Sequence, residues 1–170
     1  TDAGGNSIVV SGSVKNCVVQ GNTVSGGVIG VNVTRGTAAN PSPTQLNITG
    51  NTISDTSDRG VLIQSGQGDI ANVNVINNIL SGCGTRGICL EASAGKDVRR
   101  VSINGNHVSN CASQPAIYLY ADDTGAQGTA ISQITITGNN CWDDQGSPTQ
   151  TKGLSVGGAA GSVYGGMVIT

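Results

Sequence analysis

The chain has 170 residues, of which 27 are glycine, none is phenylalanine and only 11% are charged, with a formal net charge of −2. This weak charge, without a basic run, excludes an electrostatic basis for nucleic-acid binding. No apolar stretch is long enough to span a membrane and the start carries no signal-peptide pattern, so we expect no membrane insertion.

The first predicted element is a short strand at residues 7–10, and a motif that alternates apolar and polar residues then recurs along the chain. Alternation with period two indicates a strand rather than a helix. The copies are CVVQGN, LNITGN, VNVINN, VSINGN and ITITGN, which end at Asn22, Asn51, Asn78, Asn106 and Asn139. These asparagines are 29, 27, 28 and 33 residues apart. Such a period is typical of stacked repeats.

Each repeat contains three predicted strands. Apolar residues stand eight, five and three positions before the asparagine and two after it, and we expect them to point inward. A further strand follows each asparagine by about ten residues, as at 60–63 and 87–90. The sequence therefore predicts an all-β fold, a right-handed single-stranded parallel β-helix (a solenoid) of about five rungs of about 28 residues. We expect one such domain over residues 1–170.

The Gly-Asn pair at each motif end predicts a tight corner. Glycine accepts a positive φ, and asparagine is the next most tolerant residue. Stacked asparagines can also pair their amides from rung to rung. We therefore expect these asparagines to hold the corner rather than to bind a ligand.

The five cysteines are an odd number, which argues against a fully paired disulfide framework. Cys17 and Cys141 stand in inward columns and are interpreted as small core residues. Cys83 and Cys111 occupy the same position in adjacent rungs and could stay thiols or form a bridge. No Cys/His spacing suggests a metal site, so we expect neither a metal nor a cofactor. Mostly free cysteines indicate folding in a reducing compartment, even if the product later works outside a cell.

The two ends of the chain fall within a rung. Residues 7–10 lack a first strand of their own, and residues 167–170 align with 134–137 but stop before a Gly-Asn corner. Open rungs expose unpaired strand edges, which proteins normally cover. We therefore expect this chain to be a fragment of a longer protein or to be covered by a partner.

The outward positions of the later strands hold the candidate binding residues. Tyr118, Tyr120 and Gln64 lie on one strip with the only glutamate, Glu91. Aromatic faces stack on sugar rings and carboxylates bind hydroxyls, so this strip predicts a carbohydrate groove. The alternative is that the tyrosines pack against a loop or a neighbouring subunit.

Two arginines, Arg59 and Arg86, each precede the glycine that opens a later strand. They could hold an acidic polysaccharide, or they could be solvated corner residues paired with Asp58. A catalytic role is also open, because glycoside hydrolysis needs two carboxyl groups. The candidate pair is Glu91 with Asp122 or Asp123, and the alternative is that these are solvated loop carboxylates.

The V-x-I-x-G-N-x-I-S repeat covers nearly the whole chain and resembles the right-handed parallel β-helices of the pectate-lyase-like superfamily. The small polar turns, free cysteines and missing signal sequence look most like a bacteriophage tailspike or tail-fibre segment. That resemblance implies a homotrimer in the virion tail that recognises, and often depolymerises, host surface polysaccharide.

Two alternatives remain: a secreted bacterial polysaccharide lyase, hydrolase or epimerase of the same superfamily, and a purely structural trimeric shaft. The NTD, GHG and RIK motifs of polygalacturonase-like enzymes are missing, as is the arginine and calcium-aspartate pattern of pectate lyases. Whether the chain is an enzyme, in that case a polysaccharide depolymerase, therefore stays open at this point.

Overall fold

The computed structural model describes residues 4–34, 43–66, 68–122 and 130–170, and the regular structure within these ranges is entirely β-strand. No helix among them has the length and apolar character to span a membrane. In chain order the strands are β1 (Ile8–Ser11), β2 (Lys15–Gln20), β3 (Thr23–Ser25), β4 (Val31–Thr34), β5 (Thr44–Thr49), β6 (Thr52–Ser54), β7 (Val61–Gln64), β8 (Ile70–Ile76), β9 (Ile79–Ser81), β10 (Ile88–Ala92), β11 (Val98–Asn104), β12 (His107–Ser109), β13 (Pro115–Ala121), β14 (Ala130–Thr137), β15 (Asn140–Trp142), β16 (Lys152–Gly158) and β17 (Val163–Ile169).

The strands form three parallel sheets that wind around one core. Sheet A contains β1, β4, β7, β10, β13 and β16; sheet B contains β2, β5, β8, β11, β14 and β17; sheet C contains β3, β6, β9, β12 and β15. Each turn contributes one strand to every sheet, and each strand pairs with its equivalent in the next turn. The predicted solenoid of about five turns, with three strands per turn, is confirmed.

The apolar columns predicted from the repeat form the core. The column three before the asparagine is buried throughout, as in Ile48 (1% exposed) and Ile103 (0%). Ile53 and Leu80, two after the asparagine, are also fully buried. Cys17 and Cys141 are partly buried and pack against the core, as predicted. A thin coil can fill its interior in this way because β-branched and leucine side chains from three sheets meet there.

A bend in sheet B was not predicted. Val98 and Val101 both lie in the core although three positions separate them, whereas an unbroken strand sends such residues to opposite faces. The residue before Val101, Arg100, has φ 55° and resets the alternation. The same left-handed conformation recurs one rung apart at Asn16, Gln45, Asn72, Arg100 and Gln133, with φ between 53° and 58°.

The asparagine corner is confirmed in detail. Asn51 donates from Nδ2 to Asn78 Oδ1 at 2.9 Å, and Asn78 donates in the same way to Asn106 Oδ1 at 3.0 Å. Each of these amides also reaches back one rung, for example from Asn78 Nδ2 to the carbonyl oxygen of Ile48 at 2.9 Å. The residue before each asparagine has a positive φ, including Asn77 (53°), which replaces glycine in the third copy.

The first and last strands pair with their equivalents in the neighbouring turns. Strand β1 pairs with β4, and Met167 of β17 lies opposite Ile134, as the alignment of the repeats predicted.

Of the two alternatives for Cys83 and Cys111, the structure has free thiols, both buried in the core.

Candidate functional site

Part of the outer face of sheet A, at Leu62 and Cys89, is covered by other side chains. Leu62 and Cys89 lie in the same column as Tyr118, whose outward direction was predicted; they are outside the main core but only 3% and 0% exposed. With Ile29 they form a second apolar cluster, against which Val28 and Tyr118 pack. The predicted outward direction is therefore right, and these two outward positions are buried because they pack with Ile29, Val28 and Tyr118.

Glu91 is the centre of the polar cluster on this face. Its Oε1 accepts a hydrogen bond from Arg59 Nη2 at 2.6 Å and another from Cys89 Sγ at 3.3 Å. Its Oε2 accepts one from Gln64 Nε2 at 3.2 Å, and Arg86 Nη1 lies 3.8 Å from Oε1. The strands bring these residues together because Glu91 of β10 lies opposite Gln64 of β7.

The charges of the cluster balance. Arg59 also binds Asp58 Oδ2 at 2.8 Å, so two arginines face two carboxylates. Burial by itself would lower the pKa of Arg59, but attraction to Glu91 and, more weakly, to Asp58 raises it. The alternative that the arginines are corner residues paired with Asp58 is right for the pairing of Arg59, but only 19% of each arginine side chain is exposed, so neither is fully solvated.

The two tyrosines extend the cluster along β13. The Tyr118 and Tyr120 rings are stacked, with centroids 5.8 Å apart and 16° between their planes. The guanidinium carbon of Arg86 lies 4.2 Å from the centroid of the Tyr118 ring, which is a cation–π contact. Arg86 is also held by Gln114, whose Oε1 accepts from Nη2 at 3.3 Å. Burial raises the pKa of the Tyr118 hydroxyl.

The arrangement orders the cluster into a platform. Tyr118 contacts both the guanidinium group of Arg86 and the ring of Tyr120. Both oxygens of Glu91 accept hydrogen bonds, which makes this carboxylate an organiser of its neighbours. We call this set of residues, Arg59, Gln64, Arg86, Glu91, Tyr118 and Tyr120, the sheet A platform.

The candidate catalytic pair is only partly described. Asp122 directly follows β13, and its backbone N–H donates to the carbonyl oxygen of Ala92 at 2.7 Å. Asp123 lies outside the described residues. The contribution of Gln114 was missed by the sequence analysis, because its equivalents in other turns, such as Thr85 and Val28, share no chemical property with it.

Comparison with known proteins identifies the family. The family model described as "Periplasmic copper-binding protein (NosD)" matches residues 1–147. No curated protein and no solved structure matches the chain. The matched segment contains β1 to β15 and the whole sheet A platform. Because the match extends over most of the chain, the protein belongs to the NosD family.

Proposed function

We propose that this chain is an exported bacterial β-helix protein that binds a polysaccharide on the sheet A platform. The family match supports an exported bacterial protein, which is the alternative of the sequence analysis, and offers no support for a phage tailspike. The observation that carries the binding proposal is the ordered array of Arg59, Glu91 and Gln64 beside the stacked pair of Tyr118 and Tyr120.

The chemistry of the platform favours a neutral glycan. Guanidinium, carboxylate and amide groups pair with hydroxyls, and a tyrosine ring offers an apolar face to a sugar ring. The two arginines are neutralised by Asp58 and Glu91, so the platform has no excess positive charge to attract an acidic polymer. We therefore expect the affinity to depend only weakly on salt.

Binding is better supported than cleavage. A glycosidase needs one carboxyl group that donates a proton and a second at a defined separation. Both Glu91 oxygens accept hydrogen bonds from neighbouring side chains, so donation by Glu91 would require this network to rearrange. Glu91, Asp122 and Asp123 remain the candidates if polymer cleavage is found.

Copper binding, which the family description names, finds no matching ligand set in the described ranges. Copper sites use clusters of histidine, cysteine or methionine ligands. Among the described residues no group of three or more His, Cys, Asp or Glu side chains is placed so that it could hold a metal ion. His107 instead contacts Trp142 edge-on, with ring centroids 5.8 Å apart, and Cys83 and Cys111 are buried in the core. We therefore assign no copper-dependent step to this chain.

The test is co-elution of the purified protein with neutral polysaccharides in gel filtration, with polymer size compared before and after incubation. We expect a complex with unchanged polymer size, and Tyr120→Ala should weaken it. Ile79→Ala, which removes a side chain that is 52% exposed on sheet C, is the control and should bind normally.

Each other result has a defined meaning. Shortened polymer would make the protein a depolymerase, and Glu91→Gln would then test the catalytic pair. Absence of co-elution with every polymer, or full binding by Tyr120→Ala, would refute the platform as a binding site. Light scattering on the same samples tests the predicted homotrimer, and a trimer without glycan binding would favour the structural shaft.

A further inference from the structure

A second groove runs along the outer face of sheet B, away from the sheet A platform. It has a volume of about 490 Å³. One wall is the column of residues with positive φ, Asn16, Gln45, Asn72 and Arg100, and the other is Val18, Asn47 and Asn74. The groove exists because the left-handed residue bends each sheet B strand, which makes this outer face concave. We call it the amide groove.

The amides of the groove are in register from rung to rung. Asn74 donates from Nδ2 to Asn47 Oδ1 at 2.7 Å, and Arg100 Nε donates to Asn72 Oδ1 at 2.7 Å. A side-chain amide has two N–H donors and an oxygen with two lone pairs, so a single link between neighbours uses only part of this capacity. The groove therefore presents donors and acceptors together, repeated at the rung spacing of ~4.8 Å.

The residue types found at the left-handed positions of sheet B indicate more than a structural role. A side chain in the left-handed region costs on the order of 1 kcal/mol, and glycine avoids that cost. The last turn uses glycine there, since Gly166 has φ 61° and lies against Gln133 of the turn before. Gln45 and Arg100 nevertheless place long polar side chains at this position, and both line the groove.

We propose that the amide groove binds a neutral, extended polysaccharide chain that lies along the axis of the coil. Five of the seven lining side chains are amides, which matches hydroxyl groups that both donate and accept hydrogen bonds, and the one charged residue, Arg100, donates to the Asn72 amide oxygen. Pyranose rings follow one another at nearly the rung spacing, so successive sugars meet successive rungs. An extended peptide advances ~3.3 Å per residue and would lose register within a few rungs.

This site is additional to the sheet A platform, because the two faces belong to different sheets of the coil. The lining residues come from four successive rungs, from Asn16 to Arg100. We therefore expect affinity to rise with chain length up to about four sugars, since each further rung adds hydrogen bonds, and to stay constant beyond that length.

The experiment is calorimetric titration of the purified protein with cello-, manno- and chito-oligosaccharides from disaccharide to hexasaccharide, on a Tyr120→Ala background that weakens binding at the sheet A platform. The double variant Asn47→Ala, Asn74→Ala should weaken the binding at least tenfold. Arg100→Gly should also weaken it, while its melting temperature stays equal or rises, because glycine relieves the positive φ.

Gln133→Gly is the matched control. It makes the same backbone change one rung further along, at φ 57°, but Gln133 does not line the groove. This variant should bind as the parent does. Absence of binding at every length, equal binding by the double variant, or equal loss in Gln133→Gly and Arg100→Gly would overturn the proposal. A changed oligomeric state of the double variant would also overturn it, because the groove would then be a contact between copies of the chain.

Discussion

Arg59 Nη2 lies 2.6 Å from Glu91 Oε1, although the two residues are 32 positions apart in the chain. The contact crosses from one turn to the next, since Arg59 precedes β7 and Glu91 lies in β10, which pairs with β7. Their side chains are only 19% and 15% exposed, so water screens the pair less than it would at an open surface. This ion pair joins two turns and orders the sheet A platform.

Loss of this ion pair should destabilise the coil. Glu91→Ala leaves Arg59 and Arg86 without their shared acceptor, and we expect a loss of about 2 kcal/mol in unfolding free energy. Urea unfolding of Arg59→Ala, Glu91→Ala and the double variant checks this. A coupling energy near zero in the double-mutant cycle would show that the pair contributes nothing to stability.

The asparagine ladder should contribute most in the middle of the coil. Asn78→Ala removes the acceptor of Asn51 Nδ2 and the donor to the Ile48 carbonyl, both buried, so we expect a loss of about 3 kcal/mol. Asn22→Ala, at the partly exposed end of the ladder, should cost about 1 kcal/mol. Urea unfolding compares the two, and equal losses would contradict a role for burial.

A close approach of neighbouring turns makes Gly87 irreplaceable. A Cβ at Gly87 would lie 2.2 Å from Val108 Cγ1 and 2.9 Å from the Ala116 carbonyl oxygen. Gly87→Ala should therefore lower the unfolding free energy by about 2 kcal/mol. Gly153 has the equivalent position in the last turn, where the nearest atom is 3.5 Å away, so Gly153→Ala should be tolerated. Melting temperatures of the two variants check this difference.

Thiol reactivity should follow burial. Cys83, Cys89 and Cys111 are at most 1% exposed, and burial raises the pKa of Cys89. Only Cys17 and Cys141 should therefore react with a disulfide reagent in the native protein, Cys141 more slowly because burial raises its pKa as well. All five should react after unfolding. Absorbance with and without denaturant measures this, and a Cys17→Ser variant should lack the fast phase.

The loop after β15 should respond to acid through Asp143. The backbone N–H groups of Gln150, Gln145 and Thr149 hold the pKa of this carboxyl below its usual range. Because the pKa of Asp143 is lower in the folded chain than in the unfolded chain, its carboxylate stabilises the loop at pH values above the unfolded-state pKa. This stabilisation disappears as the pH falls through the folded-state pKa. NMR amide shifts of Gln150 should report a midpoint below ~3.9, the ordinary value for aspartate.

A matched pair of variants controls for this effect. Asp143→Asn should change the Gln150 and Thr149 amide shifts at neutral pH, because the amide that replaces the carboxylate is a weaker acceptor. Asp144→Asn should leave them as they are, since the carboxylate that accepts from these amides belongs to Asp143. Titration of Gln150 that persists in Asp143→Asn would contradict the assignment.

The solenoid, its inward columns and its asparagine corners could be predicted from the repeat alone. The inward positions of Ile48 and Ile103 follow from period-two alternation, and the ladder from Asn22 to Asn139 follows from the recurrence of one residue type at one position. The same pattern recurs in each rung, so each copy supports the strand and corner positions predicted for the others. Even the pairing of Met167 with Ile134 could be predicted from this repetition.

The covering of the outer faces and the position of the concave one depend on contacts between turns that the repeat does not specify. Leu62 and Cys89 are buried in a cluster with Ile29, against which Val28 and Tyr118 pack, and no local pattern specifies which side chains of other turns cover a position. The left-handed φ at Arg100 was hidden because arginine does not signal that conformation, and the amide groove depends on it. The sequence repeat therefore predicts the path of the backbone, whereas the two candidate binding sites depend on side chains that differ from rung to rung.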